Sequence, residues 1–254
     1  MPEALVSIGV AAALGPDAIA AVAPAVESAG FHALWVNDTP GADSLAALAA
    51  AAAVTDRLTL ATGVVPMDRR PPESIADAVR ALPQDRLVLG VGSGGARSGA
   101  LALMRDAVGR LREVTSARLL IGALGPRMRR LGAAEADGVL LSWLTPEAAT
   151  AQAGEARGVG VDAHVALYVR AALDSEAVQR LEEEAGRYGA IPQYKANFER
   201  LGITAGATVL RPDDFGGGIR GYQSAVDEVV LRAVVPEDDV DAYTRFIETA
   251  ASRV

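Results

Sequence analysis

The feature that most constrains the fold is an alternation repeated from end to end. Short apolar runs at 6–10, 33–36, 58–62, 86–91, 118–121, 138–141, 165–169 and 228–231 are each followed by a stretch with helical periodicity. The helices are predicted at about 16–29, 43–54, from Pro71-Pro72-Glu73-Ser74 to about 82, 99–114, 126–135, 146–157, 175–188 with 191–200, and 237–252. Gly30 reads as a helix C-cap, and Asp43 or Ser44 as an N-cap. Strands that are apolar throughout have both faces covered, and strict strand–helix alternation predicts a parallel sheet wrapped by helices.

Eight such units over 254 residues match the roughly 250 residues of a closed eight-unit barrel. An open doubly wound sheet is the rival, and the unit count favours closure. The expectation is therefore an α/β fold, a (β/α)8 TIM barrel, as one compact domain over 1–254 with few insertions. One stretch fits poorly. Residues 202–227 hold Gly206, Pro212, Gly216, Gly217 and Gly218 and read as a loop with one short helix at most. A connection that long is a candidate lid.

Composition narrows the function. Aromatics make up only 4%, so the core has to come from Ala, Val and Leu. A net charge of −8 argues against nucleic acid and anionic membrane as partners and leaves a small-molecule substrate. Positive charge is almost all arginine, Lys195 being the one lysine. With no cysteine, disulfides, thiolate metal sites and a cysteine nucleophile are excluded, and two histidines, His32 and His164, make no histidine-rich metal site. The Ala-rich run at 46–53 is bounded by Asp43 and Asp56 and reads as a helix, not a membrane span. The Met1-Pro2-Glu3 start has no basic n-region, so the cytosol is the expected location.

In a parallel barrel the site forms at the C-terminal ends of the strands. That rule selects Asn37-Asp38-Thr39, Gly63-Val64-Val65, Gly92-Ser93-Gly94-Gly95, Gly122-Ala123-Leu124-Gly125-Pro126-Arg127 with Met128, and Ser142-Trp143. Tyr168 and Arg170 share one face of the seventh run. The Gly122–Arg127 loop leads into a helix N-terminus, with Arg129 and Arg130 near, which suits a phosphate; a tight turn before a solvated basic helix start is the other reading. Gly90-x-Gly92-x-Gly94 lacks dinucleotide-fingerprint spacing and follows the fourth run, so it reads instead as a loop that lets a flat ring approach. Asp38 is a ring-edge partner or a base, or else a turn carboxylate bonding its own backbone. Trp143 stacks on a ligand or caps the barrel. His32 falls at the opposite end from the site, and His164 in the core or at the rim.

The same loops resemble a known family. The segment from Ala29 to Asp38, AGFHALWVND, is similar to the second-strand segment of luciferase-like monooxygenases. Thr55 to Val64, TDRLTLATGV, resembles their third strand, and Arg86 to Gly94, RLVLGVGSG, their fourth. Ala123-Leu124-Gly125-Pro126-Arg127-Met128 through Ala136-Asp137-Gly138-Val139-Leu140-Leu141, and Asn197-Phe198-Glu199-Arg200-Leu201-Gly202, continue the ordered match. Leu144-Thr145-Pro146-Glu147 resembles the branch that uses the deazaflavin coenzyme F420.

The resemblance implies a ring over the barrel mouth, against a bulge with a non-prolyl cis peptide between Gly63 and Val64. It places the phosphate at Gly122–Arg127 and the end of the sixth run. It also exposes departures. Thr39 stands where sugar-phosphate dehydrogenases of the branch have His, Gly95 stands near their Glu, and Ile8, Gly9 and Val10 are apolar where reductases have Glu.

The leading expectation is an F420-dependent oxidoreductase passing a hydride to or from a small organic substrate, with Asp38, Tyr168 or solvent handling protons. The cofactor-binding set is Asp38, Gly63, Val64, Gly92, Ser93, Gly94, Gly122, Ala123, Leu124, Gly125, Pro126, Arg127, Met128, Ser142 and Trp143. The alternatives are an FMN-dependent luciferase-like monooxygenase, a cofactor-binding subunit without turnover, and another phosphate-binding barrel enzyme. A short loop between the fourth and fifth runs leaves the pocket open or completed by another subunit, so a homodimer is among the expectations.

Overall fold

A computed structural model describes residues 4–96 and 98–254; the Met1-Pro2-Glu3 start lies outside the described residues. The strands are β1 (Leu5–Ala11), β2 (Ala33–Asn37), β3 (Thr59–Thr62), β4 (Val65–Pro66), β5 (Leu87–Gly92), β6 (Arg118–Gly122), β7 (Gly138–Ser142), β8 (His164–Ala171) and β9 (Glu228–Ala233). They form one sheet in the order β3-β2-β1-β9-β8-β7-β6-β5-β4, and every pairing is parallel. β3 also pairs with β5, through Leu60 opposite Leu87 and Ala61 opposite Val88, and this closes the barrel. β4 pairs further along the same strand, Val65 with Val91 and Pro66 with Gly92. β3 and β4 thus share one barrel position, and the sheet is the eight-position TIM barrel that the alternation implies.

The helices are α1 (Pro16–Ser28), α2 (Ser44–Ala52), α3 (Pro72–Ala81), α4 (Ala100–Arg112), α5 (Pro126–Glu135), α6 (Pro146–Arg157), α7 (Val178–Ala190), α8 (Pro192–Leu201), α9 (Phe215–Gln223) and α10 (Val240–Ala251). Local chemistry sets their starts. Asp43 caps α2 by accepting from the Leu45 and Ala46 amides, and Asp239 caps α10 through Ala242. Proline opens α1, α3, α5, α6 and α8, where no amide donor is needed.

Strand residues divide between two cores. Leu34 and Val36 face outward into the layer under the helices, while Ala33 and Trp35 face the barrel axis. The axis is narrow and holds two of the chain's few aromatics. Trp35 meets Tyr168 edge-on, with ring centroids 5.9 Å apart. The N-terminal end is closed by a polar plug. Glu228, buried at the start of β9, accepts from Ser7 Oγ and Trp35 Nε1, both at 2.6 Å, and meets His164 Nε2 at 3.0 Å. Burial opposes its ionisation, but the hydrogen bonds from His164, Ser7 and Trp35 outweigh burial and hold its carboxyl below the usual range. His32 lies at this end, as expected, and burial lowers its imidazole.

The expected loop at 202–227 is the main correction. It contains a 3-10 turn at Ala205–Thr208, a bridge from Leu210 to Ala171, and the helix α9. The glycines of α9 reflect packing, not a turn. Phe215, Ile219 and Tyr222 supply a buried stripe at helical spacing, and a Cβ on Gly218 would collide with Leu210. The segment that covers the barrel mouth is instead the α7–α8 pair.

Candidate active site

A cavity of about 690 Å³ opens at the C-terminal ends of the strands. That volume suits a cofactor-sized or drug-sized ligand. Its floor is made where β3 breaks. Between β3 and β4 the chain bulges, the Gly63–Val64 peptide is cis, and Val64 points over the axial core. Neighbouring strands leave room for it. A Cβ on Gly92 would lie 2.6 Å from Val64 Cγ2, and one on Gly122 would lie 3.0 Å from Val64 Cγ1. A Cβ on Gly63 would overlap the Tyr168 hydroxyl. Gly63, Gly92 and Gly122 are therefore small because Val64 and Tyr168 fill the centre. Asn37 Nδ2 donates to the Gly63 carbonyl and ties the bulge to β2.

Most residues expected at the site do come together. Asp38, Gly63, Val64, Gly92, Ser93 and Gly94 line the cavity on one side; Gly122, Ala123, Leu124, Gly125, Met128 and Ser142 line it on the other, with Tyr168 beneath. Pro126, Arg127 and Trp143 do not line it. Pro126 and Arg127 are exposed on the outer side of the α5 start. Trp143 turns outward, buried against Tyr188 (centroids 4.7 Å apart) and Phe198 (6.3 Å), where it pins α7 and α8 to the barrel. Arg129 is also structural: it is buried, donates to the Leu124 carbonyl and pairs with Glu155.

The two residues expected to handle protons are placed in ways that restrict them. The Asp38 side chain is 1% exposed and fully engaged. It pairs with Arg70 at 2.7 Å and Arg69 at 3.5 Å, and accepts from Ser44 Oγ at 2.9 Å. Its oxygens are thus taken up by guanidinium and hydroxyl donors. Burial pushes the Tyr168 phenol well above its ordinary range, outweighing the pull of Arg232 and Arg170. Tyr168 thus stays protonated and offers a hydrogen-bond donor.

Sequence reasoning missed several cavity residues. Asp68 does not itself line the cavity but supports it, accepting from the Gly95 amide at 2.8 Å and fixing the Ser93–Gly95 turn. Glu184, Tyr188, Ile191, Gln193 and Tyr194 reach in from α7 and α8, and Arg232 from β9. Arg232 ends an apolar run at the C-terminal side of the last strand, so the rule that selected the other loops could have found it. The α7–α8 residues carry no such signal.

Six buried side-chain polar atoms lack a partner among the described residues, and three of them, Asn37 Oδ1, Thr39 Oγ1 and the Tyr168 hydroxyl, belong to this cavity wall. Buried polar atoms are normally satisfied, so their clustering points to a ligand with polar edges.

Residues 5–117 match the luciferase-like monooxygenase family. Solved structures of that fold superpose on nearly the whole chain. An F420-dependent secondary alcohol dehydrogenase, in complex with an F420–acetone adduct, matches at a TM-score of 0.73 and 16% identity, over 97% of this chain and 99% of its own. The coenzyme F420-dependent tetrahydromethanopterin reductase of Methanopyrus kandleri matches at 0.70 and 16%, over 100% and 99%. The FMN-bound oxygenating constituent of 3,6-diketocamphane monooxygenase, from a plasmid of Pseudomonas putida, matches at 0.72 and 13%, over 98% and 97%. No curated protein matches the chain in sequence. The luciferase-like fold is thus common to F420-dependent and FMN-dependent neighbours. Among the described residues no helix is long and apolar enough to cross a membrane, and no cluster of side chains could hold a metal ion.

Proposed function

We propose that the chain is a luciferase-like oxidoreductase that holds coenzyme F420 in the mouth of its barrel and acts on a small organic substrate. The observation that carries this reading is the cavity wall: an apolar floor at Val64, with Asn37 Oδ1, Thr39 Oγ1 and the Tyr168 hydroxyl unpartnered around it. A flat ring with polar edges fits that arrangement. The bound deazaflavin would supply hydride chemistry. The protein would position it: Val64 supports one face, the Ser93–Gly95 turn and the amides at the start of α5 approach it closely, and α7–α8 shield it from water.

Among the described residues, the two carboxylates that line the wall, Asp38 and Glu184, are both paired with arginine. Tyr168, held protonated, donates, Asp38 accepts from Arg70 and orients, and solvent carries protons. The same pairing of both carboxylates supports the rival reading, a cofactor-binding subunit without turnover. FMN in place of F420 defines the monooxygenase alternative.

Titration of the purified protein with F420 and, separately, FMN, followed by cofactor fluorescence, tests the proposal. Saturable binding of F420 in preference to FMN is expected. Thr39→Val should weaken it several-fold, the scale of one hydrogen bond worth about 1 kcal/mol, without lowering the melting temperature of the cofactor-free protein. Preference for FMN moves the chain to the monooxygenase reading, and binding of neither sinks the cofactor assignment.

A further inference from the structure

Beyond the cofactor wall, the opposite side of the mouth has a charge arrangement of its own. Arg170 on β8 and Arg232 on β9 are register partners on adjacent strands, one step above the Tyr168–Val230 pair. Both side chains line the cavity. Arg170 is buried and locked. Its Nη1 donates to Ser142 Oγ at 2.6 Å, its Nε meets Glu184 at 3.2 Å, and its guanidinium lies 4.1 Å from the Trp143 ring centroid and 5.0 Å from that of Tyr188.

Arg232 is different. Its one hydrogen bond among the described residues goes to the Ala233 carbonyl, and no described carboxylate lies within ion-pair distance. Glu184 is the carboxylate that lines the cavity beside the pair; it bonds Arg170 and its charge also attracts Arg232, while Glu183 and Asp238 border a small adjoining pocket on the other side of Arg232. Asp38, across the mouth, is spent on Arg69 and Arg70. Two guanidiniums and one carboxylate leave this wall with one positive charge in excess, although the chain as a whole carries −8. Arg232 thus feels the charge of Glu184 but bonds no described carboxylate, and a guanidinium fork in that state is open to an incoming anion.

We propose that Arg170 and Arg232 form the recognition site for an oxyanionic group, a carboxylate or a phosphate, on the substrate. Arg170, held in place by Ser142 and two rings, is a preorganised wall, and Arg232 supplies the free planar fork that grips the anion. Glu184 offsets part of the pair's charge, and the choice between a carboxylate and a phosphate is left to the relative binding of the two. Assigning that anion to the substrate rests on reading the cavity as the reaction chamber. The anion binding itself does not.

Calorimetric titration with benzoate, phenyl phosphate and the neutral analogue benzyl alcohol tests this, each with and without saturating cofactor. The proteins compared are the wild type, Arg232→Met, Arg232→Lys and the remote surface variant Arg80→Met. Expected is saturable binding of an anion but not of benzyl alcohol, the stronger of the two anions naming the group. Arg232→Met should weaken binding at least about tenfold, the scale of a charge-assisted hydrogen bond. Arg232→Lys should fall between, and Arg80→Met should bind as wild type. The proposal is overturned if neither anion binds or if Arg232→Met binds as well as wild type. Competition between cofactor and anion would give the arginine pair to the cofactor and overturn the substrate assignment. Anion binding by a protein that takes up neither F420 nor FMN would sink the cofactor reading and leave the arginine site standing.

Discussion

Tyr168 carries a hydroxyl that no described group in the barrel satisfies, directly beneath Gly63. If the hydroxyl serves a ligand, Tyr168→Phe should leave the empty protein as stable or up to about 1 kcal/mol more stable, while cofactor affinity falls several-fold; thermal melts and fluorescence titration read the two effects separately. A merely structural hydroxyl would give the opposite melt. The contact between Gly92 and Val64 makes a second case. Gly92→Ala should destabilise by about 1–3 kcal/mol through overpacking, and Val64→Ala in the same chain should recover most of that loss in a double-mutant cycle of denaturation free energies. The positions of these residues were legible, because a strand's C-terminal end can be read from its apolar run. Their partners were not. Asp38 reads from sequence as a ring-edge partner, a base or a turn carboxylate, and only the fold brings Arg70, 32 residues on, against it.

At the scale of elements, the sequence succeeded where periodicity and capping agreed and failed where packing overrode composition. The predicted helices at 126–135 and 146–157 coincide with α5 and α6, each opened by proline. Helix α9 is the one short helix that the reading of 202–227 allowed, but it could not be placed there, because three consecutive glycines argue by propensity for a turn. Its stability comes from Phe215, Ile219 and Tyr222 docking on the barrel, and small residues permit that close approach. The glycines should therefore respond differently to the same substitution. A Cβ on Gly217 meets nothing within 4 Å, so Gly217→Ala should stabilise by about 0.5–1 kcal/mol through helix propensity. Gly218→Ala should destabilise despite the same gain, because its Cβ runs into Leu210. Paired urea denaturation curves distinguish the two.

For the whole molecule, the two ends of the barrel divide the labour: the plug around Glu228 holds one end shut, and the other end holds the cavity. The plug gives stability a pH dependence. His32 and Glu228 both titrate below their ordinary values in the folded chain, so each binds fewer protons folded than unfolded. Unfolding therefore takes up protons on acidification, and stability falls. The loss should begin below about 6.5, where an unfolded histidine titrates, and steepen below about 4.5, where an unfolded glutamate does. Urea midpoints from pH 8 to 4 should show both stages, with His32→Phe removing the first and leaving the second. A midpoint that rises on acidification through pH 6 would contradict this account. The fold class was legible because repetition of one unit is a property of the whole chain. The roof was not, because nothing in the amphipathic pattern of α7 and α8 says which strand ends they cover.

That roof has a consequence of its own. It is one continuous excursion of the chain that leaves β8 and rejoins β9, neighbours in the sheet. Its length and sequence can change without altering the strand order, provided the anchors at Trp143, Arg170 and Ala171 are kept. Duplication, deletion or recombination confined to that stretch of the gene would thus remodel the chamber while leaving the rest of the scaffold in place. For the same reason, a transplanted α7–α8 segment is the natural unit for giving this barrel a new substrate.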